Sequence, residues 1–245
     1  MANWTRKELL AALNLYFETP FGKQHSTHPP IVALAEAIGR SPGAIAMKLS
    51  NFTNLDPSER ARGIKGLSGA SKADRAIWNE FEENREELVA ESEVELETLL
   101  PDVNPTPPEE IEDSVKLVKY RRQQRFFRRV VLSSYRQSCC ISGNPVPELL
   151  RASHITPWAA DRKNRLNPSN GLCLAATYDT AFDRGLISFN SNFELMLSNR
   201  LGEYSSHPEI QSVFEKYRGV SLQLPEKNLP DATLLAWHTK NVFVG

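Results

Sequence analysis

The chain has 245 residues, of which 40% are hydrophobic and 24% charged, and its formal net charge is −1. These values are ordinary for a globular protein with one large core or two smaller ones. No apolar run approaches the roughly 20 residues of a membrane span, and the N-terminus lacks the pattern of a secretory signal. The three cysteines show no C-x-x-C spacing, which disfavours structural zinc and disulfides and favours a reducing, cytoplasmic compartment.

Two helices are predicted at the start of the chain. Residues 5–18 place leucines on one face, and Thr5 and Glu8 have the spacing of a capping box. Residues 30–39 form a second apolar segment that ends in glycine, a residue typical of helix C-termini.

A third helix is predicted to begin at Ser41-Pro42, because serine caps helices and proline suits their first turn. The tight turn between the second and third helices has the outline of a helix-turn-helix. In that interpretation Lys48 contacts phosphate. A plain helical hairpin with solvated charges is the alternative.

The near-neutral total charge conceals two blocks of opposite sign. Residues 80–100 predict an exposed acidic helix, and 101–110 (PDVNPTPPEE) a proline-rich linker. Residues 112–136 predict a long helix with an apolar stripe and a face of lysines and arginines. The basic face predicts contact with phosphate, although a solvated face is possible. The acidic block suggests a phosphate mimic that covers the basic surface until DNA arrives.

After Cys140 the pattern changes to short strands. Predicted strands at ELLRASHI and LCLAAT are followed by one or two helical turns at YDTAFDRG, and then by a hairpin formed by LISF and FELML. The fold class is therefore α+β. The predicted domains are a helical domain at 1–80, an acidic helix and linker at 81–113, and a third domain at 114–245.

The segment from the first strand to the short helix carries four polar residues of chemical interest. His154 ends the first strand, Asn170 opens the second, and Asp179 and Asp183 lie one helical turn apart. Carboxylate and amide oxygens suit Mg²⁺ or Mn²⁺. A neutral imidazole beside such an ion can take a proton from water that attacks phosphorus. This pattern predicts phosphodiester hydrolysis.

The segments CCISGNPVPELLRASHITPWA, RLNPSNGLCL and YDTAFDRGLISF resemble the HNH endonuclease family, which has the ββα-metal or His-Me finger fold. The resemblance is to the subgroup in bacterial restriction-type proteins and covers roughly residues 115–245. It implies a helical N-terminal domain followed by a ββα-metal nuclease domain. The implied activity is metal-dependent DNA cleavage in restriction or anti-phage defence.

By this resemblance His154 is the general base, and Asn170 is the central asparagine, which positions the catalytic loop or ligates metal. Asp179 stands where the last histidine of the family usually stands, so the resemblance implies that the carboxylates of Asp179 and Asp183 serve the metal, and it leaves open which of the two ligates it. Many members also have an acid or histidine directly before the base, whereas this chain has Ser153, a weak ligand.

Duplex DNA is the expected partner, and a homodimer is expected because cutting both strands needs two active sites. Two alternatives remain open: an inactive, HNH-like DNA-binding regulator, and a nuclease that acts on RNA or single strands. The residues predicted to contact DNA are Arg121, Arg122, Arg125, Arg128, Arg129, Arg151, Arg165 and Lys48.

Overall fold

The computed structural model describes residues 3–101 and 115–245, and the chain divides into two compact units, Met1–Phe126 and Phe127–Gly245. The predicted α+β class is confirmed, since helices build the first unit and the described strands lie in the second. The predicted linker at 101–110, after its first residue, lies outside the described residues. None of the described helices has the length and apolar character that a membrane span requires.

Local sequence signals determine where the first helices begin. The capping box is confirmed: the Thr5 N–H donates to Glu8 Oε2 at 2.7 Å, and the Glu8 N–H donates to Thr5 Oγ1 at 3.3 Å. Ser41 caps the third helix as predicted. The described helices of the first unit are α1 (Arg6–Glu18), α2 (Pro29–Ala37), α3 (Pro42–Leu55), α4 (Pro57–Ala61), α5 (Lys72–Glu83) and α6 (Arg85–Leu99). Helix α7 (Val115–Ser134) begins in the first unit and continues into the second.

The prediction of one exposed acidic helix at 80–100 is wrong in two respects. The chain breaks at Asn84, which separates α5 from α6. One face of α6 is buried, including Glu93 at 0% exposure and Glu97 at 8%. Each of these carboxylates has a distant partner, since Asn14 donates to Glu93 at 2.8 Å and Arg122 donates to Glu97 at 2.8 Å. Burial of a polar side chain is tolerated when it is hydrogen-bonded in this way.

The second unit is built around the predicted sequence of two strands and a helix. Strand β1 (Leu150–His154) pairs antiparallel with β2 (Gly171–Ala175), so that His154 lies opposite Gly171. Helix α8 (Ala176–Asp183) follows at once, and β3 (Ile187–Phe189) then pairs with β4 (Leu195–Leu197). The remaining helices are α9 (Asn199–Gly202), α10 (Pro208–Val213) and α11 (Ala232–Asn241).

Close packing holds the hairpin and α8 in place. A Cβ atom on Gly171 would lie 2.4 Å from Val131 Cγ2, so only glycine allows the C-terminal part of α7 to approach β2. After α8 the chain turns at Gly185, with φ +68, where a Cβ would lie 2.0 Å from the Val242 carbonyl oxygen. His238 of α11 also donates from Nε2 to the Phe182 carbonyl at 3.1 Å. These contacts define where the end of α8 lies.

Candidate active site

His154 is half-buried at the end of β1, and its ring is held on two sides. The Phe127 ring stacks on it with centroids 3.9 Å apart and an interplanar angle of 7°. Nε2 lies 2.9 Å from the Arg165 carbonyl oxygen. A carbonyl only accepts, so Nε2 carries the proton of the neutral ring and Nδ1 has the lone pair. Burial lowers the pKa of His154, although the Arg165 carbonyl opposes this change. The ring is therefore neutral near pH 7 and able to accept a proton at Nδ1.

Asn170 holds the loop that joins β1 to β2. Its side chain is 0% exposed. Oδ1 accepts from the Thr156 N–H at 2.8 Å, and Nδ2 donates to the carbonyls of Thr156 and Asn164, each at 3.1 Å. Because the whole carboxamide is engaged by backbone groups, this geometry favours the positioning role of the asparagine over metal ligation.

The same loop contains a polar network that the sequence reasoning missed. Asn164 donates to Asp161 at 2.6 Å, and Asn167 donates to Asn164 Oδ1 at 2.8 Å. The Arg165 Nε–H donates to the Trp158 carbonyl at 2.7 Å. This hydrogen bond fixes the position of Arg165, and the Arg165 carbonyl in turn binds His154. Asp161 and Asn167 also accept from the backbone N–H two residues on, at Lys163 and Ser169, as in Asx turns, so the Asp and Asn residues of the loop were the available signal.

Asp179 and Asp183 lie one turn apart on α8 and interact. Partial burial raises the pKa of Asp183, and the charge of Asp179 raises it further. Within residues 3–101 and 115–245, no group of three or more His, Cys, Asp or Glu side chains is arranged to hold a metal. Mg²⁺ is commonly held by one or two carboxylates and retains several waters, so the chemistry of this pair fits it. Among the described residues, His154, Asp179 and Asp183 therefore do not form one such group.

Ser153 has a different environment from its neighbour His154. Adjacent residues of a strand point to opposite faces, so the hydroxyl and the imidazole lie on opposite faces of β1. Ser153 is 3% exposed, and its Oγ forms no hydrogen bond within the described residues. The geometry therefore gives this hydroxyl no place in a cation site beside His154.

The arginines predicted on α7 are part-buried, and two of them are paired with α6. Glu97 accepts from both Arg122 and Arg125, and Lys119 of the same helix pairs with Glu87. Arg121 and Arg129 are half-buried members of the same face. DNA contact through the paired cations therefore requires that the α6 carboxylates be displaced.

The other predicted DNA contacts fall into different environments. Lys48 is buried, and its Nζ pairs with Asp74 at 2.5 Å, so its ammonium is not presented to solvent. Arg128 donates to the carbonyls of Leu150 at 2.9 Å and Pro147 at 3.1 Å, which ties α7 to the start of β1. Arg151 is exposed on β1, and Arg165 is committed to its loop as described above.

A two-stranded hairpin followed by a short helix, with a neutral imidazole at the end of the first strand, defines the class of ββα nucleases. Residues 139–190 match the family described as HNH endonuclease, and this segment includes both strands of the hairpin, its loop, α8 and β3. A search of curated proteins found no match. The chain thus contains an HNH endonuclease domain at residues 139–190, and this domain implies phosphodiester hydrolysis. Members of this family typically use a divalent metal.

Proposed function

We propose that this protein is a metal-dependent endonuclease that cuts duplex DNA in the cytoplasm, in restriction or anti-phage defence. The HNH match over residues 139–190 supports the nuclease class. The observation that carries the proposal for this chain is the state of His154, a neutral ring held by Phe127 and by the Arg165 carbonyl with its Nδ1 lone pair available.

In this proposal His154 removes a proton from the attacking water through Nδ1. The Arg165 carbonyl keeps the proton on Nε2, so the ring presents the correct nitrogen. Asn170 acts indirectly, because its three hydrogen bonds hold the loop that carries this carbonyl. The products are a 5′-phosphate and a 3′-hydroxyl.

The residues that would hold Mg²⁺ or Mn²⁺ are Asp179 and Asp183, whose like charges lie close enough to raise the pKa of Asp183. A bound divalent ion supplies stabilisation of the charge that develops on the scissile phosphate and on the leaving oxygen. Ser153 is not part of this proposal, because its hydroxyl lies on the opposite face of β1 from His154.

DNA binding is proposed to use the cations of α7 together with Arg151, and two copies of the chain would cut the two strands. The α6 carboxylates paired with α7 act in this proposal as the phosphate mimic, since Glu97 and Glu87 occupy the cations that DNA would contact. Phosphate contact through these cations would make DNA affinity fall steeply with salt.

An inactive DNA-binding regulator is the second candidate. It is favoured by one observation: Asp179 stands where the family usually has its last histidine, and Ser153 where many members have an acid or histidine ligand. A regulator would bind DNA and cut nothing at any metal concentration, so catalysis distinguishes the two candidates.

The deciding experiment is plasmid cleavage by the wild type, His154→Ala and the double variant Asp179→Asn/Asp183→Asn, with Mg²⁺, Mn²⁺ or EDTA. His207→Ala is the matched control, because His207 is an exposed histidine of the same unit. We expect cutting by the wild type and the control, and its loss in the other two variants and in EDTA. Equal cutting by His154→Ala and the wild type would refute the proposed base.

The same assay run on modified duplex, unmodified duplex, single-stranded DNA and RNA determines the substrate. Cleavage confined to RNA or to single strands would replace the duplex proposal. Circular dichroism of each variant excludes loss of folding as the cause of lost activity.

A further inference from the structure

A small concave surface lies beyond the C-terminal end of α8, outside the hairpin that carries His154. It has a volume of about 160 Å³ and is lined by Arg184, Leu186, Arg200, Leu201 and Tyr204. We call it the Arg184–Tyr204 pocket. Three of its residues, Arg200, Leu201 and Tyr204, lie beyond the segment 139–190 that matches the nuclease family.

Backbone hydrogen bonds bring the two arginines of the pocket together from separate elements. Arg184 caps the end of α8, directly before the turn at Gly185. Further along the chain, the Ser198 N–H donates to the Leu186 carbonyl at 2.9 Å, and the Ser198 hydroxyl caps α9, which carries Arg200. The pocket is therefore a product of the fold around the β3–β4 pair.

The two arginines of the pocket have no ionic partner among the described residues. Arg184 and Arg200 are both exposed, and neither guanidinium forms an ion pair or a hydrogen bond with any described residue. Many other arginines of the chain are paired, as Arg218 is with Glu215 at 2.8 Å. Two guanidinium groups without ion pairs that line one pocket favour an anionic ligand, and their planar donors suit phosphate oxygens.

The remaining lining residues add an apolar and aromatic surface. Tyr204 is 60% exposed, whereas Leu201 is 6% exposed and forms part of the floor. Proteins bind nucleotides of a single strand through an exposed aromatic ring beside cations. The cation contacts the phosphate, and the base or sugar packs on the ring. A volume of about 160 Å³ is smaller than the roughly 300 Å³ of typical small-molecule pockets. The pocket is therefore better suited to one segment of a bound nucleic-acid strand than to a free nucleotide.

We propose that the Arg184–Tyr204 pocket binds the backbone of the nucleic-acid substrate next to the cleavage site. This inference rests on the proposed nuclease function and extends it to a named contact surface. Arg184 directly follows Asp183, so a strand held in the pocket runs beside the carboxylates of α8. The arginines bind a phosphate that flanks the scissile one, and Tyr204 supports the adjoining nucleotide.

Binding of fluorescent duplex and single-stranded oligonucleotides in EDTA tests the pocket without any cutting. The variants are Arg200→Gln, Tyr204→Ala and Tyr204→Phe, with Arg218→Gln as the matched control, an exposed arginine of the same unit that is already paired. Loss of one phosphate contact should weaken duplex affinity about five- to tenfold and reduce the salt slope by about 0.9. Tyr204→Ala should weaken single-strand binding about fivefold or more, and Tyr204→Phe should restore it.

If the Arg200→Gln and Tyr204→Ala variants bind oligonucleotides with the same affinity as Arg218→Gln, the pocket proposal is refuted and the nuclease proposal remains. Wild-type protein that binds no nucleic acid would overturn both. A poly-glutamate peptide provides the remaining comparison. If Arg200→Gln weakens peptide binding but not DNA binding, the pocket serves an acidic protein partner and the proposal is refuted.

Discussion

Replacement of Asn170 by alanine tests how the loop between β1 and β2 is held. The buried carboxamide makes three hydrogen bonds, at 2.8, 3.1 and 3.1 Å, to backbone groups of Thr156 and Asn164. Each buried hydrogen bond contributes about 1 kcal/mol, and a buried donor left without a partner costs about 1–3 kcal/mol. The variant should therefore lose roughly 3–5 kcal/mol, a large part of the 5–15 kcal/mol that stabilises a typical domain.

The free energy of unfolding from urea titration measures this loss, with Asn167→Ala as the control. Asn167 lies in the same loop and also makes side-chain hydrogen bonds, but it is only half-buried. Water can replace its partners, so its loss should cost no more than about 1 kcal/mol. The loop also carries the carbonyl that binds His154, so nuclease activity should fall in Asn170→Ala even where the variant remains folded.

A second substitution separates loss of packing from loss of hydrogen bonds. Asn170→Asp keeps the acceptor for the Thr156 N–H but points a carboxylate oxygen at the two carbonyls that Nδ2 now binds. It should therefore be strongly destabilising near neutral pH, although its shape is unchanged. If Asn170→Ala and Asn167→Ala had the same unfolding midpoint, the reasoning on Asn170 would be refuted.

Three further predictions follow from the described contacts. Phe127→Leu and Phe126→Leu should lose similar stability, about 1–2 kcal/mol, since both rings belong to α7 and are buried. Phe127→Leu should also reduce kcat about tenfold, whereas Phe126→Leu should not, because it is Phe127 that stacks on His154. Glu97→Gln should tighten DNA binding and steepen its salt dependence, because two arginines are released. Burial lowers the pKa of His238 from 6.5 to about 4. The neutral His238 ring should therefore contribute its full share of stability above pH 6.5, and the free energy of unfolding should fall by about 3 kcal/mol as the pH falls towards 4. His238→Gln should make the free energy of unfolding less dependent on pH over this range.

Each of these predictions has a contrary result. Equal kcat for the two phenylalanine variants would remove the role of the stacked ring. Unchanged DNA affinity in Glu97→Gln would show that the α6 carboxylates do not compete with phosphate. A wild-type unfolding free energy that stays constant between pH 6.5 and 4 would contradict the account of His238.

Local structure could be predicted because its determinants lie within a few residues of one another. The Thr5–Glu8 capping box and the Ser41-Pro42 start define helix ends through hydrogen bonds and steric limits inside one turn. The alternation of Leu150–His154 and the following run of small and apolar residues likewise predict a hairpin and its helix. The HNH motif rests on the resemblance of these segments to the family, and the order of the elements agrees with it.

The sequence alone therefore determined the α+β class, the ββα order and the positions of His154 and Asn170 at the ends of paired strands. Only the tertiary structure decided which polar groups are available. It committed the Asn170 carboxamide to the loop and buried Lys48 against Asp74. It also stacked the Phe127 ring on His154. Arg184 and Arg200, in contrast, have no ionic partner among the residues that the structure describes. The reason is physical: the exposure and pairing of a charge depend on neighbours that are distant in the sequence, and no local pattern specifies them.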